Sequence, residues 1–325
     1  MTSPDRTYVH SYILLLILFI VVVSFKLTTA LLAVLFTFLV LRVLHVKERR
    51  WIAVVLTMAL LTILFYVFML FGKSVIATLP HIVASVFPEI MQFAKDKGIE
   101  LPFSDMVSLK ELLMEGIYSQ VGFLSNFAKL ATKESVFVIV GIVVGFGIYV
   151  NPRIDYAQTP QPLNLYSLYA ARLAELFTSF FHSFQAVMGA QVIISGINTF
   201  LTFIFVYATD LPHPQVVIVL TFLCGLLPVV GNILSNSLIV GIAFTVSPRF
   251  AGGALLYLIT IHKLEYFLNS KIIGSRIRHP MWLMLLALIL GERLMGIAGI
   301  ILAPVILHFL KTEASRFKID STSQK

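Results

Sequence analysis

Charge is scarce in this 325-residue chain, and cysteine is nearly missing. Only 12% of the residues are charged and 58% are hydrophobic, whereas soluble domains carry about 25% charge. That balance excludes an ordinary soluble domain. The formal net charge of +8 therefore belongs to loops flanking membrane segments and is not a signal for nucleic acid. One cysteine, Cys224, rules out an internal disulfide and argues against a cysteine-based metal site. There is no HExxH zinc motif, no GxSxG elbow and no Walker-type phosphate loop. His262 and Glu265 are spaced to share a metal, but two ligands without partners are weak. An intramembrane enzyme ranks third among the functional readings, and no cofactor is expected. The first apolar run has no small-residue cleavage site after it, so it reads as a retained helix.

What is present is a series of long apolar runs, near 8–25, 27–44, 51–71, 134–150, 186–208, 215–247, 250–269 and 281–310. They predict an all-α, polytopic membrane protein with about eight hydrophobic segments. The short loop RVLHVKERR carries Arg42, Lys47, Arg49 and Arg50 against Glu48 and should be cytoplasmic. Both termini then lie inside, and Trp51 suits the membrane interface. The expected organisation is N-terminal membrane helices (1–71), an extracytoplasmic amphipathic helical region (72–133), a membrane helix plus an interfacial helix (134–185), a core of two helix-plus-hairpin units (186–311), and a cytoplasmic tail (312–325). The amphipathic stretches of 72–133 either cover their own apolar faces or meet another copy.

Segments 215–247 and 281–310 are longer than one crossing of a ~30 Å hydrocarbon core at 1.5 Å per residue. Both are interrupted: the first at Pro228, Gly231 and Asn232, the second at Gly291-Glu292-Arg293 and Gly296. Each reads as a tilted span or a re-entrant hairpin. Hairpins put Lys271, Arg276 and Arg278 inside and only Arg249 outside, so the positive-inside rule favours them. Helix 186–208 with hairpin 215–247 then matches helix 250–269 with hairpin 281–310 in opposite orientation. Paired Gly/Pro-interrupted segments in an inverted repeat point to a midplane transport site.

Two polar stripes accompany the breaks. Gln191, Ser195, Asn198, Thr199 and Thr202 share one helical face, and His262, Glu265, Tyr266 and Asn269 share another. Packed helices use such stripes as hydrogen-bonding glue, but an intramembrane carboxylate is usually functional. Lys263 points away from its stripe. Glu292 and Arg293 fit either a hydrated tip or part of a gate.

The C-terminal third, LLPVVGNILS, HKLEYFLNSKIIGSRIRHP and GERLMGIAGIILAPVILHFLK, resembles the autoinducer-2 exporter family. The matching positions are Pro228 and Gly231; Glu265, Asn269, Lys271, Gly274, His279 and Pro280; and Gly291, Gly296, Gly299, Ala303 and Pro304, with Gly189 and Gln191 upstream. Ser270 replaces a common proline, and Glu292 and Arg293 are more charged than usual there. The resemblance implies a homo-oligomeric secondary transporter of the bacterial inner membrane. Some relatives are associated with autoinducer-2 export and others with sodium- or lithium-for-proton antiport. The expected partners are the bilayer and a small polar solute or monovalent cation, with proton or sodium coupling. Binding is expected at Gln191, Ser195, Asn198, Thr202, Pro228, Gly231, Asn232, His262, Glu265 and Asn269. Gly274, Pro280, Gly291, Gly296, Gly299 and Pro304 are expected to serve packing and movement. The rival is a structural or regulatory membrane protein that transports nothing.

Overall fold

The computed structural model describes residues 3–46, 49–96, 98, 134–151, 165–228, 230–272 and 280–316. Every regular element among them is a helix: α1 (Ser3–Ser24), α2 (Thr28–Val43), α3 (Arg50–Asp96), α4 (Glu134–Val150), α5 (Leu165–Ala208), α6 (Pro214–Gly225), α7 (Val230–Val246), α8 (Pro248–Ile272), α9 (Met281–Met295) and α10 (Ile297–Ala314). Three are individually long and apolar enough to cross a membrane: α3 over Arg50–Val67, α5 and α10. A fourth crossing is available if the α1–α2 pair, bent by 114°, counts as one broken span. The bend is made at Lys26, whose φ of 56° lies in the left-handed region. The chain divides into two compact units.

The first unit comprises residues 1–60, 135–189 and 275–325. Its core joins Leu32, Leu35 and Leu39 of α2, Phe181, Phe184 and Met188 of α5, and Ala298, Leu302 and Val305 of α10. Edge-to-face ring pairs, Phe38–Phe181 at 4.8 Å and Phe36–Phe184 at 5.0 Å, add to the burial. Helix α4 lies on α2 through Gly141 and Gly145. A Cβ at Gly141 would come within 2.5 Å of the Ala30 carbonyl oxygen, the close approach that the small-xxx-small pattern permits between membrane helices. Helices α9 and α10 pack on each other, and the chain reverses at Gly296, whose φ of 62° suits glycine. The reversal brings Gly291 and Gly299 into backbone contact; a Cβ on Gly299 would sit 1.8 Å from the Gly291 oxygen.

This unit also buries a carboxylate. Glu313, near the end of α10, is 4% exposed. It accepts hydrogen bonds from the Tyr12 hydroxyl of α1 at 2.9 Å and from Ser179 Oγ of α5, and pairs with Arg316 at 3.1 Å. Much of the described part of α1 is apolar and exposed, including Leu16, Ile17 and Ile20, and polar bonds, the Glu313 set together with His10–Tyr169 at 2.9 Å, tie its first half to α5 and α10.

The second unit comprises residues 61–134 and 190–274. Val206, Leu211, Val217, Ile239, Ile242, Ala243, Ala251, Ala254 and Leu258 form its core, drawn from α5, the α5–α6 turn, α6, α7 and α8. Phe205 stacks on Tyr257 at 4.0 Å. Ser247 caps α8, its Oγ accepting the Phe250 N–H at 3.1 Å, and Pro248 occupies the first helical position.

Three boundaries differ from expectation. Helix α3 does not stop at 71 but runs to Asp96 through Pro80 and Pro88, so the first part of the expected 72–133 region is helical and continuous with the preceding apolar segment. The expected interfacial helix and the helix from 186 are one 44-residue helix, α5; a polar, aromatic first half followed by an apolar second half does not interrupt the backbone. Gly291, Glu292 and Arg293 are helical in α9, because only Gly296 takes a non-helical backbone. The amphipathic stretch 104–133, the loop 152–164 and the basic run 273–279 lie outside the described residues.

Removing the Tyr12 hydroxyl should cost about 1.5–3 kcal/mol, the worth of a hydrogen bond to a charged group. Tyr12→Phe is expected to lower the thermal unfolding midpoint in detergent, and Tyr207→Phe, at an exposed site, to leave it unchanged.

Candidate functional site

The interruption between α6 and α7 is built so that its backbone is satisfied. Helix α6 ends at Gly225, which leaves the carbonyls of Phe222, Leu223, Cys224 and Gly225 without the usual helical partners. Two are taken by local amides, Leu226 to Leu223 and Leu227 to Cys224. The other two are taken by α5: Ser195 Oγ donates to Phe222 O at 2.7 Å, and Gln191 Nε2 donates to Gly225 O at 2.6 Å. The chain then turns through Pro228 into α7, whose amide at Gly231 returns to Leu227 O. Gly231 rests on the backbone of Cys224, seven residues back, where a Cβ would fall 1.6 Å from the carbonyl oxygen. That contact folds the pair back on itself and sets the first turn of α7.

From that turn Asn232 reaches α8. Its Nδ2 donates to both oxygens of Glu265 at 2.8 Å. Asn198 of α5 donates to Oε2 at 3.2 Å. Glu265 is 9% exposed, and among the described residues no arginine or lysine forms an ion pair with it. His262, one turn earlier, places Nδ1 3.8 Å from Oε2 with its ring open to the surroundings. A cavity of about 20 Å³ lies against the carboxylate, lined by Asn198, Thr202, Thr221, Asn232, Asn236 and Glu265 among others, with room for one water-sized occupant. Two oxygens at this place, Asn198 Oδ1 and Thr221 Oγ1, are buried without a hydrogen-bond partner. Buried polar atoms are nearly always paired, so these two oxygens stand out beside the carboxylate. Neutral oxygens around one carboxylate are hard ligands, which suit a hard cation better than a soft transition metal.

The predicted residues thus separate by role. Asn198, Thr202, Asn232, His262 and Glu265 gather at the cavity. Gln191 and Ser195, expected to bind a ligand, point instead at the carbonyls of α6. Pro228 and Gly231 form the turn. The Asn269 side chain and Gly274 lie outside the described residues, and Pro280 precedes α9. Gly291, Gly296 and Gly299 make the α9–α10 reversal, and Pro304 is buried inside α10. Thr221, Ser235 and Asn236 complete the cavity lining. The polar run after Gly231 marked the last two, but a single threonine in an apolar helix gave no sign of Thr221. The Gly141–Gly145 spacing was a readable signal for α4, whereas nothing local marks Glu313 as buried.

The family model described as AI-2E family transporter matches residues 9–315. A protein of Bacillus subtilis (strain 168), provisionally named transport protein YdbI, is 24% identical over 209 residues. That similarity takes in 63% of this chain, and the chain covers 58% of the length of YdbI.

Replacing Gln191 with leucine should leave the Gly225 carbonyl unpaired. In membrane helices such a bond is worth about 1 kcal/mol, and the thermal midpoint in detergent is expected to fall. Gln191→Glu, unable to donate when ionised, should be at least as damaging at neutral pH; a midpoint unmoved in both would remove the capping role.

Proposed function

The chain belongs to the AI-2E transporter family, and on that premise we propose that it is a secondary transporter that exchanges a small monovalent cation for protons at Glu265. The observation carrying this reading is the Glu265 carboxylate, buried against a cavity of about 20 Å³ with unpaired oxygens on Asn198 and Thr221. Asn232 and Asn198 hold the carboxylate in place by neutral amide donors. A cation would meet Glu265 together with Asn198 Oδ1 and Thr221 Oγ1. A proton on Glu265 removes the charge that attracts it, so the two occupants exclude each other, and exchange follows from that competition. The small cavity favours an ion over a multi-atom solute. Export of an autoinducer-2-like molecule is the alternative and requires a wider cavity in another conformation. A protein that only packs or regulates would be expected to pair these buried oxygens.

The transport cycle belongs to the proposal as well. Helix pairs α6–α7 and α9–α10 would be re-entrant hairpins of an inverted repeat within about eight hydrophobic segments. The core would span 186–311, with a cytoplasmic tail after it and both termini inside the bacterial inner membrane, in a homo-oligomer. Gly274, Pro280 and Asn269 would sit at the turn and the end of the α8 stripe, and alternating access would move packed hairpins against a support.

Glu265→Gln is expected to abolish cation-driven proton flux in proteoliposomes while leaving the gel-filtration profile intact; undiminished flux would sink the exchange reading. Thr221→Val, which keeps shape and removes the oxygen, should raise the half-saturating cation concentration about tenfold, the equivalent of one neutral hydrogen bond or ligand.

The hairpins have their own check. In a Cys224→Ser background, Gly274→Cys should be labelled only from the cytoplasmic side of sealed vesicles, and Asn232→Cys only through a path from the opposite side. Labelling of position 274 from outside alone would make both segments plain crossings.

A further inference from the structure

Two hydroxyls beside the Glu265 cavity are left without a role by the exchange chemistry. Thr202, one turn beyond Asn198 on α5, lines the cavity and is 2% exposed. Tyr257 of α8 stands about two turns before Glu265. Its hydroxyl oxygen is buried and has no hydrogen-bond partner among the described residues. The side-chain group within its reach is the Thr202 hydroxyl, short of hydrogen-bond geometry. All of these residues belong to the second unit.

The Tyr257 ring is not free to seek another partner. It stacks on Phe205 at 4.0 Å with the planes 10° apart, and Phe205 stacks in turn on Phe250 at 6.4 Å. All three rings pack on the core of the unit. Phenylalanine at 257 would keep that stack and leave no polar atom unpaired. Buried polar atoms are nearly always paired, and an orphan is destabilising, so packing alone does not explain the hydroxyl. Its fixed place beside a cavity-lining threonine does. A threonine oxygen has one proton to give and two lone pairs. In a helix the proton can go to the carbonyl one turn back, here that of Asn198. A phenol donating to one lone pair then sets the rotamer and leaves the other lone pair for the cavity.

We propose that Tyr257 is a positioning residue of the cation site: with the cavity occupied, its O–H donates to Thr202 Oγ1 and holds the remaining lone pair of that oxygen toward the ion. Thr202 thereby joins Asn198 Oδ1 and Thr221 Oγ1 as a neutral ligand beside Glu265. Tyr257 itself does not touch the ion; its stack on Phe205 fixes where the hydroxyl meets α5. The inference rests on the exchange reading of Glu265 and adds one ligand to it.

The test is a sodium chloride titration of the full chain in detergent, with choline chloride holding the ionic strength, read by the thermal unfolding midpoint. A bound ion raises the midpoint as its concentration passes the dissociation constant. Sodium is expected to raise the wild-type midpoint and to leave that of Glu265→Gln unmoved. Tyr257→Phe should be no less stable than wild type in choline alone, since the stack remains, yet need about fivefold more sodium for the same rise. Thr202→Val should raise the requirement by a similar factor. Tyr257→Phe added to Thr202→Val should then change nothing further, because the hydroxyl has no oxygen left to position. If Tyr257→Phe responds like wild type, or adds its own factor in the Thr202→Val background, the positioning role falls and the Glu265 reading stands. A lower midpoint for Tyr257→Phe in choline alone would make the hydroxyl a structural group and also overturn the role. A sodium response that survives Glu265→Gln, or a wild-type midpoint indifferent to sodium, would overturn the exchange reading and this inference with it.

Discussion

The carbonyls at the end of α6 are the constraint from which the rest of the second unit follows. A helix that stops inside an apolar run leaves backbone acceptors without helical partners, and away from water such ends persist only if protein satisfies them. Two of the four are closed by the turn and two by Gln191 and Ser195 of α5. The polar stripe on α5 is therefore in part a capping device for another helix. Because those caps hold α6 against α5, and Gly231 lets α7 rest on Cys224, the first turn of α7 is delivered to α8 with Asn232 facing Glu265. Interruption, stripe and carboxylate are one construction.

Two buried carboxylates show how surroundings divide roles. Glu313 takes two hydroxyl donors and a guanidinium, and its bonds tie α1, α5 and α10 together. Glu265 takes only neutral amides, has an exposed imidazole one turn away, and faces a cavity with unpaired oxygens. The first is matched in charge and geometrically occupied, which suits a fixed joint. The second is held by neutral amides, with the His262 ring 3.8 Å away, beside space for one small particle. Both are glutamates on apolar helices, and residue type alone does not separate them.

Much of this was legible in the sequence. Helical periodicity in apolar runs placed nearly every element, the glycines and proline marked both reversals, and the spacing of Asn198 and Glu265 put each on a polar helical face. The failures have physical causes. The end of α3 was read at the end of its apolar run, but a helix continues wherever its backbone hydrogen bonds do, and Pro80 and Pro88 were absorbed within it. The change from aromatic to aliphatic composition near 185 was read as a break, yet no residue there disfavours helix, so α5 runs on. Glu292 and Arg293 drew attention by charge, while the reversal needed only the positive φ of Gly296.

Composition and periodicity by themselves determined an all-helical membrane protein, the places where its helices reverse, and the faces that carry polar groups, because these depend on local backbone preferences and on the period of a helix. Which polar groups meet was decided by tertiary structure alone. Gln191 and Asn198 lie on one stripe two turns apart, yet one caps α6 and the other bonds Glu265. The difference arises because α6 stops at Gly225 and α7 starts against Cys224, contacts between helices that no spacing along one helix encodes.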